Sequence, residues 1–140
     1  MKISYLVAVL LLSLMSTIAV AGLSHNRTVE ILFAEDGSGQ ATGAMAAARY
    51  SDNEIEYIGC GTRNFVNPDW TLFEFAFCQA GDSAGTEAFC STTNSELVRA
   101  VRAISDSSWL LLRWTPEGEC QGIGISGNSF HLFGDKDSKR

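Results

Sequence analysis

The chain has 140 residues, a formal net charge of −6, 46% hydrophobic residues and 19% charged ones. That composition excludes a disordered chain, and only two prolines exclude collagen-like or proline-rich linker sequence. An acidic chain of this kind lacks the basic footprint that phosphate backbones require, so nucleic acid is not expected as a partner.

Met1-Lys2, the apolar run Leu6 to Met15 and the small-x-small triplet Ala19-Val20-Ala21 are the three parts of a secretory signal peptide, predicted over residues 1–21. A membrane anchor is the competing reading, because Ile3 to His25 carries no formal charge, but no basic cluster follows to stop transfer. No cysteine lies at the cleavage site to take a lipid. The remainder is long enough for one core and too short for two, so a single domain is expected over 22–133 with a charged tail at 134–140. The predicted location is secreted or periplasmic, with no stable membrane insertion once the signal is removed. Asn26-Arg27-Thr28 fits a glycosylation sequon.

Thr28 to Ala34 is predicted as a short strand, closed by the turn residues Glu35 to Gly39. The small-residue run Gln40 to Tyr50 is read as a strand, with a helix as the alternative. Glu54 to Thr62 alternates, and Trp70 to Gln79 alternates more clearly. In the latter, Phe73, Phe75 and Phe77 share one face, while Leu72, Glu74, Ala76 and Cys78 share the other. With Thr86 to Ser91 these runs predict an antiparallel meander. Thr93 and Glu96 form a capping-box pattern that opens a helix at about 94–105, whose apolar stripe is Leu97, Ala100, Val101 and Ile104. Ser108 to Trp114 and Cys120 to Ser126 flank Pro116-Glu117-Gly118 as a hairpin, and Phe130 to Phe133 adds an edge strand. The expected fold is α+β: one antiparallel sheet of five to seven strands carrying one helix. Phe73, Phe75 and Phe77 should meet Leu97, Val101 and Ile104 to form the core.

Cys60, Cys78, Cys90 and Cys120 make an even set, which in an oxidising compartment reads as two disulfides. Zinc sites favour close pairs such as C-x-x-C, which are absent here, so neither a metal nor another cofactor is expected. Cys60–Cys78 with Cys90–Cys120 is the preferred pairing, because Cys60 and Cys78 stand symmetrically about Asn67-Pro68-Asp69. Strand parity permits Cys78–Cys90 almost as well.

Gly81-Asp82-Ser83-Ala84-Gly85 is a literal G-x-S-x-G, and Asp106 and His131 follow in serine–acid–histidine order. Ser83, Asp106 and His131 are therefore the alternative catalytic set. The context argues against it: a β-like run follows the serine, no helix begins before Thr93, and the chain is too short for an α/β-hydrolase. A glycine-rich hairpin loop is the preferred reading. Gly37 to Gly43 resembles a phosphate loop but lacks its lysine, and reads as a turn. Glu54 and Glu56 could pair as glycosidase carboxylates, but are expected on an exposed strand face. Trp70, beside a loop, and Tyr50 are the candidate binding surface.

Tyr57-Ile58-Gly59-Cys60, Phe77-Cys78-x-Ala80, Gly85-x-x-x-x-Cys90-x-Thr92, Ala103-Ile104, Trp114 and Gly118-x-Cys120 together resemble a group of small secreted four-cysteine bacterial proteins without an assigned activity. The resemblance covers about Thr42 to Ser129 and its motifs are structural. It implies secretion and a disulfide frame, and supplies no catalytic residues. The expected function is accordingly non-enzymatic: a small binding protein, with an inhibitor-like mode as one form of it, and an extracellular or envelope protein or glycan as partner. A serine hydrolase using Ser83 and a structural envelope protein are the alternatives.

Overall fold

The computed structural model describes residues 28–128. The expected signal peptide, the sequon asparagine Asn26, the edge strand expected at Phe130 to Phe133, His131 and the charged tail lie outside the described residues. Among the described residues, seven strands form two antiparallel sheets rather than the single sheet expected. The first contains β1 (Glu30–Phe33), β2 (Gly39–Ala44), β6 (Trp109–Trp114) and β7 (Cys120–Ser126), in the order β1-β2-β6-β7. The second is the meander β3 (Tyr57–Val66), β4 (Leu72–Gly81) and β5 (Glu87–Thr92). Helix α1 (Met45–Arg49) follows β2, and α2 (Ser95–Val101) joins β5 to β6.

The run expected as one strand from Gln40 to Tyr50 divides at Ala44. Its first half must be small because backbones approach closely there: a Cβ on Gly43 would lie 3.0 Å from Val29 Cγ2. Its second half is helical. Alanine is the best helix former, Ala47 and Ala48 are buried, and the Ser108 carbonyl accepts the first free amide of the helix, from Met45, at 3.0 Å.

Helix α2 spans 95–101 and is shorter than predicted. Its cap is Asn94, not Thr93: Asn94 Oδ1 accepts from the amides of Glu96 at 3.0 Å and Leu97 at 3.2 Å. Glu96 pairs instead with Arg99 at 3.0 Å. The buried positions of α2 are Val98 and Val101, with Leu97 and Ile104 packed at the margin.

The core lies between the two sheets. Ile31, Ala41, Leu110, Leu112 and Trp114 of the first meet Ile58, Ala76, Cys78, Ala80, Ala88 and Cys90 of the second, with Val98 and Val101 of α2. Phe73, Phe75 and Phe77 are absent from this cluster, which overturns the expected core. Alternation shows that a strand has two unlike faces but not which one is inside. Here the alanine and cysteine face of β4 turns inward, and the phenylalanines turn out.

The structure pairs Cys60 with Cys78 and Cys90 with Cys120. Cys60–Cys78 joins directly opposed residues of β3 and β4. Cys90–Cys120 joins β5 to β7 and so links the two sheets covalently, beside a single bridge between Ser91 and Glu119.

Candidate binding surface

The register of the meander places Phe65 opposite Phe73, Arg63 opposite Phe75, and Gly61 opposite Phe77. All of these point away from the core. The rings form one contiguous row: Phe65 to Phe75 at 6.2 Å between centroids, Phe73 to Phe75 at 5.8 Å, Phe75 to Phe77 at 6.4 Å, and Phe77 to Phe89 at 6.3 Å. The Arg63 guanidinium lies 4.7 Å from the Phe77 centroid, close enough for cation–π attraction. Phe65, Phe73 and Phe89 are 53%, 44% and 58% exposed. Large exposed side chains that touch one another are unusual on a monomeric surface and mark an interaction site.

Glycines hold these rings flat. A Cβ on Gly61 would lie 2.9 Å from Phe77 Cζ, and one on Gly81 would lie 2.5 Å from Tyr57 Cε1. An aromatic ring lying over a cross-strand glycine restores the contact that the glycine lacks. The Tyr57 hydroxyl donates to Glu87 Oε1 at 3.2 Å. Burial first, and then the Glu87 carboxylate, raise the Tyr57 pKa above its usual value.

β5 pairs with β4 only as far as Ala76, so beyond that point β3 and β4 continue as a two-stranded arm. Its tip is the loop Asn67-Pro68-Asp69-Trp70-Thr71. Trp70 is 88% exposed. It is also the one non-glycine residue with positive φ among the described residues, at 65°.

Tyr50, the other expected binding residue, is exposed on a separate recess of about 640 Å³, which Arg49, Glu54, Glu56, Tyr57 and Asp106 also line. Glu56 is buried rather than on an exposed strand face. One of its carboxylate oxygens accepts from the Val29 amide and the other from Asn53 Nδ2 at 3.0 Å, so both oxygens hold structure. Glu54 is exposed, and both glutamates precede β3.

Ser83 is exposed at the tip of the β4–β5 loop and is not among the residues lining the recess that Asp106 shares. The loop is closed by Asp82 N–H donating to the Thr86 carbonyl and Gly85 N–H donating to the Asp82 carbonyl, both at 3.0 Å. A strand follows it, whereas a nucleophile elbow leads into a helix. Of the stretch Gly37 to Gly43 expected as a turn, Gly37 and Ser38 lie in the turn between β1 and β2, whereas Gly39 to Gly43 belong to β2. The sulfurs of Cys78, Cys90 and Cys120 lie within 4.8 Å of one another, and every described cysteine is disulfide-bonded.

No family model, curated protein or solved structure matches this chain. Its functional reading therefore rests on its own geometry. Sequence reasoning assigns Phe73, Phe75 and Phe77 to the core and so misses the surface row that they form with Phe65 and Phe89. A signal was available: cysteines destined for disulfides belong inside, and Cys78 alternates with Phe77 along one strand.

Proposed function

We propose that this protein is a secreted or periplasmic, non-enzymatic binding module that holds a partner against the outer face of the β3–β4–β5 sheet. The observation that carries this reading is the contiguous, partly exposed row Phe65, Phe73, Phe75, Phe77 and Phe89. The two disulfides support an oxidising compartment. Among the described residues no helix is long and apolar enough to cross a membrane.

The face favours a protein partner over a glycan. Sugar recognition needs several hydrogen-bonding groups beside the stacking rings; here the rings are phenylalanines with none of their own, and the arginine among them, Arg63, is engaged with Phe77 and the Thr62 carbonyl. Aromatic side chains with an arginine among them are the residues enriched in protein interfaces.

The test compares the parent with a Phe75→Ser/Phe89→Ser variant as bait in the secreted or envelope fraction. The parent should enrich a defined protein that the variant does not, while both melt cooperatively. Equal capture by both baits, or capture by neither, would overturn the reading.

A further inference from the structure

Four hairpin loops of this protein share one backbone design. In Ala34–Ser38, Asn67–Thr71, Asp82–Thr86 and Thr115–Glu119, the first residue's N–H donates to the fifth's carbonyl, and the fourth's N–H donates to the first's carbonyl. The fourth residue takes positive φ in each: 88° at Gly37, 82° at Gly85, 79° at Gly118 and 65° at Trp70. Such three-residue loops place glycine at that position because a Cβ is disfavoured there. Three of the four follow the rule.

The β1–β2 loop is an internal control for the exception. In it, Asp36 Oδ1 accepts from the amide of Ser38 at 2.9 Å and its hydroxyl at 2.6 Å. Asp69 Oδ1 accepts from the amide of Thr71 at 3.0 Å and its hydroxyl at 2.6 Å. The two loops share this backbone and aspartate design but differ at the other positions: tryptophan replaces glycine at the fourth, Pro68 stands at the second, and Asn67 Nδ2 adds a hydrogen bond to Thr71 Oγ1 at 3.0 Å. Trp70 buries almost nothing, so packing of its side chain against the described residues does not offset the strained backbone. A strained, exposed tryptophan at the end of an arm is explained by what it meets outside the chain.

The arm identifies the occupant. Its four terminal residue pairs, Arg63–Val66 with Leu72–Phe75, extend for about 13 Å at the rise of a strand. Phe65 and Phe73 are exposed on one face, and Val66 and Leu72, at 62% and 67%, on the other. A flat protein surface would cover only one of these faces, whereas the boundary between lipid headgroups and acyl chains surrounds whatever enters it. Tryptophan is the side chain that prefers that boundary. From Asn64 to Phe73 the single charged residue is Asp69, and its carboxylate is turned onto Thr71. With a net charge of −6 the chain is repelled by anionic lipid.

We infer that the tip of the β3–β4 arm, led by Trp70 and flanked by Phe65, Val66, Leu72 and Phe73, dips into the interface of a zwitterionic lipid surface. The contact is peripheral and does not span the membrane. It shares Phe65 and Phe73 with the proposed partner face and differs from it in using Trp70, Val66 and Leu72 rather than Phe75 and Phe89.

The test uses phosphatidylcholine vesicles with bromine-labelled acyl chains. The uncharged stretch Ile3 to His25 of an unprocessed chain would bind vesicles by itself, so the readout is quenching at Trp70 rather than sedimentation. Trp109 and Trp114 lie in β6 of the other sheet. The parent's emission should fall and shift to the blue, and Trp70→Phe should show no quenching. Val66→Ser/Leu72→Ser should need at least about tenfold more lipid for half-maximal quenching. Trp70→Gly should melt a few degrees higher than the parent, because it relieves the positive φ. Adding phosphatidylglycerol should weaken the effect. An unquenched parent, quenching unchanged in Trp70→Phe, or a requirement for anionic lipid would overturn the inference. Capture of a protein that depends on Phe75 and Phe89, without vesicle quenching, would overturn it and leave the proposed function standing. Loss of that capture in Trp70→Gly, again without quenching, would make the tip a protein contact instead.

Discussion

The two faces of the β3–β4–β5 sheet differ in the opposite sense from what side-chain size suggests. On the inner face of β4 and β5, Ala76, Cys78, Ala80, Ala88, Cys90 and Thr92 are buried and none is larger than threonine, with Ile58 of β3 as the larger buried side chain beside them. On the outer face five phenylalanines touch in a row and remain partly in water. The inner face can be small because bulk arrives from the other side of the core, as Leu110, Leu112 and Trp114 of β6 and Val98 and Val101 of α2. Interiors are close-packed, so large residues on one side require small ones opposite. The Cys90–Cys120 disulfide then holds a contact that alanine and cysteine bury only modestly. Large apolar side chains freed from the core are available for contact outside it.

Breaking the inner contact should have the largest effect. Val101→Asp places a carboxylate on the buried side of α2 with no cation provided for it. An uncompensated buried charge costs about 3–5 kcal/mol, a large share of the roughly 5–15 kcal/mol that holds a domain together. The expected outcome is loss of folded, exported protein. Arg102→Asp should be milder. Arg102 pairs with Glu74 at a partly exposed position, and such pairs contribute up to about 1 kcal/mol. Comparable yields of the two variants would show that Val101 is not at the sheet contact.

Removing the covalent link between the sheets comes next. Cys90→Ala/Cys120→Ala should lower stability by about 2–5 kcal/mol, read from denaturant midpoints against the parent. Phe89→Ser, on the neighbouring residue but the outer face, should cost less than about 1 kcal/mol, because Phe89 is already 58% exposed. A larger loss from Phe89→Ser than from the disulfide pair would reverse the assignment of faces.

Much of this arrangement was legible in the residues themselves. Period-two alternation and the turn residues between runs located β3, β4 and β5, and the Pro116-Glu117-Gly118 turn located the β6–β7 hairpin. The face of β4 was not legible from alternation alone, because the pattern is symmetric under exchange of inside and outside. Size then favoured the phenylalanines, and only the cysteines argued the other way. Helix α1 was obscured because alanine suits both a close strand contact and a helix, and the switch at Ala44 depends on Ser108, far along the chain. Thr93 and Asn94 are both good caps, and the hydrogen bonds chose the second. Trp70 and Tyr50 were visible as candidates. That they occupy an arm tip and a separate recess was not.

Acid sharpens the loop comparison. Hydrogen bonds from Ser38 and Thr71 hold the carboxyls of Asp36 and Asp69 below the usual aspartate range, and hydrogen bonds from the Thr86 and Ala84 amides do the same at Asp82. A folded-state pKa depressed in this way contributes stability that is present above the unfolded value of about 3.9 and is lost as pH falls through the folded one. The melting temperature should therefore be flat near neutrality and decline below about pH 4. All three carboxylates are at the surface, so each share is small. Asp36→Asn/Asp69→Asn/Asp82→Asn should flatten the acid limb without altering the neutral plateau by as much as the disulfide variant does. An acid limb unchanged in the triple variant would place the acid sensitivity elsewhere.

Ser83 carries the smallest expected effect, and it weighs the alternative chemistry directly. Its loop matches the glycine loops at Gly37 and Gly118 in backbone hydrogen bonds and in the sign of φ at the fourth residue. The loop is held by Asp82 Oδ1, which accepts from the Ala84 amide at 2.9 Å and the Thr86 amide at 2.8 Å, and Ser83 is outside that set. Ser83→Ala should therefore change stability by no more than about 0.5 kcal/mol, the scatter of surface substitutions. Gly85→Val should cost more, because φ at Gly85 is 82° and a β-branched side chain resists that region. A nucleophile gives the opposite ranking in function: Ser83→Ala would keep the fold and abolish both hydrolysis of an activated ester and labelling by a serine-reactive phosphonate. The parent should show neither hydrolysis nor labelling. Activity that vanishes with Ser83 alone would overturn the binding-module reading.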